Sequence, residues 1–521
     1  MKKLYNKIKD NWLLLVILGL ASCLRLIELS SHPEGTYTDE AYGAYIAYGL
    51  LTEGIDDRGC HFPIYFIAWG SGMNALYPYL GVLFFKLFGV SLLAYRLPQA
   101  LFGILSIFAF YIIVRELLGK KAGLFFAFVL AVNPWHIMMC RFGLESNLAP
   151  SIFLIGLMFL VLGLRRRSSW LIPAALFFGL TLYCYAVTWL ILPIFFIFSL
   201  LLCRKWIPQS RNTLVFVIIL FLLALPLLIF LAVNYDLLPE IRTSFITIPK
   251  LTGFRSDELS PAYIASGVLD LLRIVVLDQG DGNDTLSGIS TGSYYYFTTP
   301  FMIFGILYHI GTLIRNYRHG SSDLTSLFLA WLASAAIVST ANHYLTMIHI
   351  NMIHIPIIFY GAYGFYSLSQ KMKSKFFLGS CTAFYALSLA FFLSAYAKTE
   401  FSLFFGDKPY EALLAAKDIA PENGSITFFG TTIYKYPNLL WREKSDINNY
   451  MQNAIYNDNP LFAELLHYGN YHFIYDDINL INNIVTDVYI LRVSRMDEFR
   501  MLGFQVIQVN DSYAVASLPA P

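Results

Sequence analysis

The chain has 521 residues, of which 57% are hydrophobic and only 13% charged. A soluble domain carries about 25% charged residues, so the composition excludes an ordinary soluble enzyme. The net charge of +2, with no long basic stripe, gives no reason to expect nucleic acid as a partner.

Long apolar runs, such as 13–24, 152–164 and 214–233, take the place of the missing charge. Runs near twenty residues can cross a hydrocarbon core of about 30 Å. The chain is therefore read as a polytopic protein of the lipid bilayer. Its 17% aromatic content suits interfacial belts. The first run follows Met1-Lys2-Lys3, and Arg25-Leu26-Ile27-Glu28 comes after it in place of a small-x-small cleavage site. An uncleaved signal anchor is expected. The six cysteines form no CxxC or CxxH pair, so no zinc or redox motif is visible. The region after residue 400 has none, which fits a bacterial surface better than a eukaryotic lumen.

Eleven spans are expected, at 12–29, 94–114, 122–138, 147–164, 169–185, 189–203, 212–233, 298–314, 324–341, 348–368 and 376–396. Lys and Arg follow every even-numbered span, as in Arg165-Arg166-Arg167. The short opposite loops at 142–146, 185–188 and 342–347 have neither. By the positive-inside rule the N-terminus is cytoplasmic and the C-terminal region extracytoplasmic, in a plasma membrane. The fold class is mainly α: a polytopic helical bundle at 1–397, then a small α/β domain at 398–521. In that tail, a helix is expected over 411–419 and strands over 425–429, 471–475, 487–493, 504–509 and 513–517.

Two large outer segments interrupt the bundle, 30–93 and 234–297. The first opens on Tyr37-Thr38-Asp39-Glu40-Ala41-Tyr42 and holds two surface helices, over 41–51 and 77–88. Thr38 is placed to cap a helix starting at Asp39. The helix dipole would favour ionised Asp39 and Glu40 in its first turn. A carboxylate there suits a general base, although acids are also common in first turns. The same loop adds Asp56, Asp57, Arg58 and His61 between glycines 54 and 59.

The order of motifs is Asp39-Glu40, then Gly54-x-Asp56-x-x-Gly59-x-x-x-Pro63, Tyr77-Pro78-Tyr79, Phe88-Gly89-Val90-Ser91 and Tyr95-Arg96-Leu97-Pro98. Asn133-Pro134-Trp135-His136-Ile137 before Arg141 follows, then Tyr183 and Tyr185 after Gly179-Leu180. This set resembles glycosyltransferase family 39, the protein mannosyltransferase-like and aminoarabinose transferase-like enzymes of the GT-C fold. The resemblance runs in order from residue 12 to about residue 370. It implies a polyprenyl-phosphate sugar donor used on the outer membrane face, with inversion. It also implies that Asp39 deprotonates the acceptor hydroxyl. Glu40, about 100° away on the helix, is expected to position substrate or hold the loop in shape, and Asp56 in the same loop is a supporting candidate. The acceptor would be a protein, a lipid or a cell-wall glycan.

A polyprenyl-phosphate leaving group needs cationic or N–H partners. Arg141 ends an outward-going span and is the first candidate; the alternative is an arginine snorkelling to ordinary headgroups. Arg96 and His61 come second, Arg96 equally suiting an interfacial anchor. His349 stands where the family often has an arginine, and belongs to a cluster with His343 and His354. A hydrogen-bonded histidine packed between helices explains it as well. On the acceptor side the candidates are Asp281, in the Asp-Gly run 278–284, and Tyr295 in an aromatic cluster. The run fails the EF-hand pattern. No metal site or required cofactor is expected, and a divalent cation lacks support. A transporter or flippase for lipid-linked sugars is the rival reading, followed by a non-catalytic partner of a sugar-transfer system. The acids cluster in outer loops rather than at mid-membrane, and no internal repeat is evident, which argues against transport.

Overall fold

Each of the eleven apolar runs lies on helix in the computed structural model, which describes residues 2–70, 72–254, 260–277, 291–319, 321–342, 345–399, 406–430, 436–459, 463–475 and 486–518. The first helices are α1 (Lys2–Leu26), α2 (Thr38–Thr52), α3 (Leu76–Phe88) and α4 (Leu92–Leu118). Next come α5 (Lys120–Ala131), α6 (Pro134–Met139), α7 (Glu145–Arg165), α8 (Leu171–Thr181), α9 (Thr188–Cys203) and α10 (Arg211–Asn234). Then follow α11 (Ile264–Val275), α12 (Thr299–Arg318), α13 (Ser326–Thr340), α14 (Asn351–Met372) and α15 (Lys375–Tyr396).

Among the described residues, six helices are long and apolar enough to cross a membrane. They include α4, α7 and α10. On α10, Leu214, Val217, Phe221 and Leu228 are exposed, a surface that lipid would cover. The expected third span, 122–138, is instead two helices. Asn133 stops the run because its side chain accepts a hydrogen bond from His136 N at 3.1 Å and so caps α6. Pro134 follows at the first helical position, where its missing N–H costs nothing.

The contacts divide the chain into two compact units. The first comprises Met1–His32, Arg96–Leu228 and Ser256–Thr399. Small residues let its helices approach closely. A Cβ on Gly364 of α14 would fall 1.9 Å from the Phe301 carbonyl oxygen of α12, and one on Gly305 would fall 2.3 Å from the Tyr360 carbonyl oxygen. Aromatic rings fill the remaining space. Phe328 stacks on Phe359 at 3.8 Å between centroids, and Trp331 lies 4.3 Å from Phe153.

The second unit comprises Pro33–Tyr95, Ile229–Arg255 and Glu400–Pro521. The sheet-bearing tail thus shares a unit with the loop that carries Asp39. Two short hairpins, β1 (Tyr65–Phe66) with β2 (Met73–Asn74) and β3 (Ile241–Arg242) with β4 (Thr247–Ile248), lie in this unit. Backbone bonds tie its three segments together. Ile64 N donates to Thr247 O at 3.0 Å, Gly406 N to Thr36 O at 3.2 Å and Ala463 N to Trp69 O at 2.9 Å.

The tail contains α16 (Asp407–Ile419), β5 (Ile426–Phe429), α17 (Tyr436–Glu443), α18 (Ile447–Asn453), β6 (Ile455–Tyr456), β7 (Leu465–Tyr468) and β8 (Tyr471–Ile474). It ends with β9 (Val488–Arg492), α19 (Met496–Met501), β10 (Gln505–Gln508) and β11 (Tyr513–Ser517). The strands form one mixed sheet in the order β10-β11-β9-β5-β8-β7-β6. β5 is parallel to both its neighbours, β8 and β9. Phe429, Ile474, Tyr489, Leu491 and Phe499 make the core on one face.

Candidate active site

The acids of the first loop lie in the second unit. α2 starts at Thr38, one residue earlier than a Thr38 cap would have it. Tyr37 is the N-cap, and the Glu40 carboxylate reaches back to accept Tyr37 N at 3.2 Å. Glu40 is fully buried and serves the helix start. Asp39, its neighbour in the same first turn, is half-buried. About 100° separates successive side chains on a helix, which explains the difference.

Asp56 and Asp57 are both buried in the turn after α2. Asp56 Oδ1 accepts from Arg58 N at 2.9 Å and from Cys60 N at 2.8 Å, which closes the turn. Asp57 Oδ1 accepts the Tyr42 hydroxyl at 2.9 Å. The second oxygen of each carboxylate is buried with no hydrogen-bond partner. Burial, and then the Asp57 charge, push Asp56 up to about 7. Burial likewise raises Asp57. His61 is exposed and pairs through its backbone with Ile55.

Of the candidates for the donor phosphate, Arg141, Arg96 and His349 lie in the first unit and His61 in the second. Arg141 is buried, and its guanidinium turns to the end of α1. It donates to the carbonyl oxygens of Leu24 at 2.8 Å, Ile27 at 2.7 Å, Glu28 at 3.0 Å and His32 at 3.0–3.1 Å. These are groups a helix C-terminus leaves without intrahelical partners. Arg96, fully buried, donates to Leu29 O at 3.1 Å. Both arginines therefore converge on residues 24–32. His32 carries its ring 4.4 Å from Tyr396. Burial, and then the Arg141 charge, lower the pKa of His32.

His349 is half-buried in the turn before α14, with its N–H on Thr346 Oγ1 at 3.2 Å. His354 is buried elsewhere, its ring 4.5 Å from Trp135. Tyr295 is buried and donates its hydroxyl to Val132 O at 2.7 Å. Asp281, with the 278–284 run, and His343 lie outside the described residues. Among the described residues, no group of three or more His, Cys, Asp or Glu could hold a metal ion.

Several polar groups escaped the sequence reading. Arg25, within the first expected span 12–29, is fully buried and lies 2.6 Å from His136 Nδ1. A charge within an apolar run is the signal that could have found it. Glu145, in the first turn of α7 four residues past Arg141, is another. Asp57 and Arg58 read as ordinary turn residues, and their burial has no local signature.

The fold is of the GT-C type, that of membrane glycosyltransferases, as the likeness to solved structures shows. Residues 75–230 match the family described as dolichyl-phosphate-mannose-protein mannosyltransferase. The resemblance to glycosyltransferase family 39 therefore holds. ArnT from Cupriavidus metallidurans in the apo state superposes with a TM-score of 0.57 at 11% identity, covering 98% of this chain and 98% of that one. The same protein bound to undecaprenyl phosphate gives 0.54 at 11% identity, covering 97% and 98%. The archaeal oligosaccharyltransferase AglB from Archaeoglobus fulgidus, in complex with an inhibitory peptide and a dolichol-phosphate, gives 0.56 at 14% identity, covering 99% of this chain and 75% of that one. At these identities the likeness is one of fold. No curated protein matches the chain in sequence.

Proposed function

We propose that this chain transfers a sugar from a polyprenyl-phosphate donor to an acceptor hydroxyl on the extracytoplasmic membrane face, with inversion. Asp39 is the general base. The observation that carries this reading is the contrast within the first loop. Glu40 and Asp56 are buried and bonded to backbone N–H groups. Asp39 alone of the three is half-exposed, at a helix N-terminus that favours its ionised form. The acceptor hydroxyl gives its proton to Asp39, and its oxygen bonds to the anomeric carbon. The bond from that carbon to the phosphate oxygen breaks, and polyprenyl phosphate leaves with the electron pair. A hydroxyl is a poor nucleophile until a positioned base takes its proton.

Arg141 and Arg96 are assigned to the donor phosphate. The N–H groups of Arg141 already serve carbonyl oxygens, and Arg96 gives one to Leu29 O, so the contribution of Arg141 is mainly positive potential. His61 and His349 are secondary candidates, and Asp281 and Tyr295 are assigned to the acceptor side. The basic loops support a cytoplasmic N-terminus and an extracytoplasmic tail.

The test incubates purified protein with a panel of polyprenyl-phosphate sugars and compares wild type with Asp39→Asn. Donor consumption is expected to fall by at least ~100-fold in the variant. Equal consumption would remove Asp39 as the base. Lipid-linked sugar crossing vesicles without donor consumption would establish the flippase reading.

A further inference from the structure

α2 carries three tyrosines one turn apart, and the first two, Tyr42 and Tyr45, are fully buried. Neither is held by α2 itself. The Tyr42 hydroxyl donates to Asp57 Oδ1 at 2.9 Å. The next residue, Arg58, places its guanidinium carbon 4.3 Å from the centroid of the Tyr456 ring on β6. The Tyr456 hydroxyl lies 2.5 Å from that of Tyr450 on α18. The Tyr450 ring meets the Tyr45 ring edge-on at 5.8 Å. These six residues close a circuit that leaves α2 at Tyr42 and returns to it at Tyr45. α18 also presses on the far end of α2, since a Cβ on Gly49 would fall 2.0 Å from Ile447 Cδ1. Every member belongs to the same compact unit.

We infer that this circuit is a positioning clamp, through which the C-terminal sheet domain sets the rotation of α2 and so the direction of the Asp39 carboxylate. Tyr42 is three residues past Asp39, so the two lie on neighbouring sides of one turn. A hydroxyl fixed at Tyr42 therefore fixes the angle at Asp39. A buried aromatic contact with Arg58 suits this task because the guanidinium is planar and stacks in one geometry. The domain is then a working part of the proposed transferase rather than an appendage.

The inference rests on the reading of Asp39 as base, so its test has two arms. In the first, full-length protein is assayed with a polyprenyl-phosphate sugar that wild type consumes. Tyr42→Phe removes one oxygen, and kcat is expected to fall by about tenfold with donor KM within about twofold. Asp57→Asn keeps an acceptor oxygen and should stay within about threefold of wild type; Tyr456→Phe keeps the ring under Arg58 but loses the hydroxyl link to Tyr450 and should fall between wild type and Tyr42→Phe, while Tyr456→Leu loses both and should match Tyr42→Phe. Unchanged kcat in Tyr42→Phe overturns the clamp, as does a rise in KM alone. The second arm needs no activity: hydrogen–deuterium exchange is followed in a peptide covering residues 38–45. Exchange should quicken by about tenfold in Tyr456→Leu and by less in Tyr456→Phe, which keeps the ring contact with Arg58. Equal exchange in wild type and Tyr456→Leu overturns the clamp. If wild type consumes no donor, the transferase reading fails and the exchange arm alone decides.

Discussion

Arg25 Nη2 lies 2.6 Å from His136 Nδ1, with both side chains fully enclosed. A guanidinium only donates, so Nδ1 must be the acceptor and the imidazole carries its proton on Nε2. That nitrogen is 3.0 Å from Ser106 Oγ and donates to it. The other bonds of Arg25 go to the carbonyl oxygens of Ala21, Ala131 and Leu130 at 3.2, 3.1 and 3.5 Å. The guanidinium thus ties α1 to the end of α5 and the start of α6. His136→Asn keeps an acceptor near the Nδ1 position, whereas His136→Leu leaves part of a buried cation without a partner. His136→Leu is expected to cost ~1–3 kcal/mol more than His136→Asn. Thermal unfolding in detergent checks this, and equal melting temperatures would discard the tautomer argument.

Glu40 separates helix stability from charge. Its carboxylate accepts Tyr37 N at 3.2 Å at the start of α2. Glu40→Gln retains an acceptor oxygen, while Glu40→Ala leaves that N–H without it. The alanine variant should lose ~0.5–2 kcal/mol, as for a lost cap, and the glutamine variant less. Donor consumption should follow the same order. A glutamine variant as inactive as Asp39→Asn would mean that the charge on Glu40 itself takes part in the chemistry.

Arg141 makes hydrogen bonds to four carbonyl oxygens, and a lysine cannot reproduce that fan. Arg141→Lys keeps the positive charge but should lose ~1–3 kcal/mol of stability. Arg141→Ala should lose more, and should weaken donor binding beyond anything seen in Asp39→Asn. Binding measured with the donor in detergent, on protein confirmed as folded, distinguishes the two roles. Wild-type donor affinity in Arg141→Ala would leave this arginine as a cap on α1 only.

Much of the fold is legible because its driving force is local in sequence. The span helices follow from runs of apolar residues, and β5, β8, β9, β10 and β11 from β-branched and aromatic runs. β6 and β7 are missed because Ile455–Tyr456 is too short to show alternation, and because Glu464 and His467 interrupt the apolar character around the second strand. The break between α5 and α6 is written in Asn133-Pro134, a cap followed by a first-turn proline, but the length of the apolar run masks it. At the site, the first-turn position of Asp39 is readable. The targets of Arg141 are not, because backbone carbonyls look alike in every residue. The compact unit that joins 33–95 to the tail is also invisible locally, since its contacts bridge hundreds of positions.

The Gly364 contact yields a prediction about the helical unit. A Cβ there would lie 1.9 Å from the Phe301 carbonyl oxygen, and backbone cannot yield as a flexible side chain would. Gly364→Ala should therefore push α12 and α14 apart and cost ~1–3 kcal/mol, despite the better helix propensity of alanine. Gly379 of α15 has open space around the same atom and is the control. Gly379→Ala should be neutral or slightly stabilising. Equal melting temperatures for the two variants would mean that the α12–α14 approach is looser than described.

Asp56 makes the pH dependence specific. Burial and the neighbouring Asp57 push it up to about 7, whereas an unfolded aspartate titrates near about 4. Between these values the folded protein holds a proton that the unfolded chain releases. The linked stability is complete below about pH 4 and is lost as pH rises through about 7. Asp56→Asn keeps a carbonyl oxygen for Arg58 N and Cys60 N and removes the charge that meets Asp57. The variant should show a flatter stability curve across that window and exceed wild type by ~1–3 kcal/mol at pH 8. Asp56→Ala should be less stable than Asp56→Asn at every pH, because it leaves those two N–H groups without an acceptor. Melting temperatures from pH 5 to pH 8 check both; parallel curves for wild type and Asp56→Asn would show that Asp56 titrates in its ordinary range.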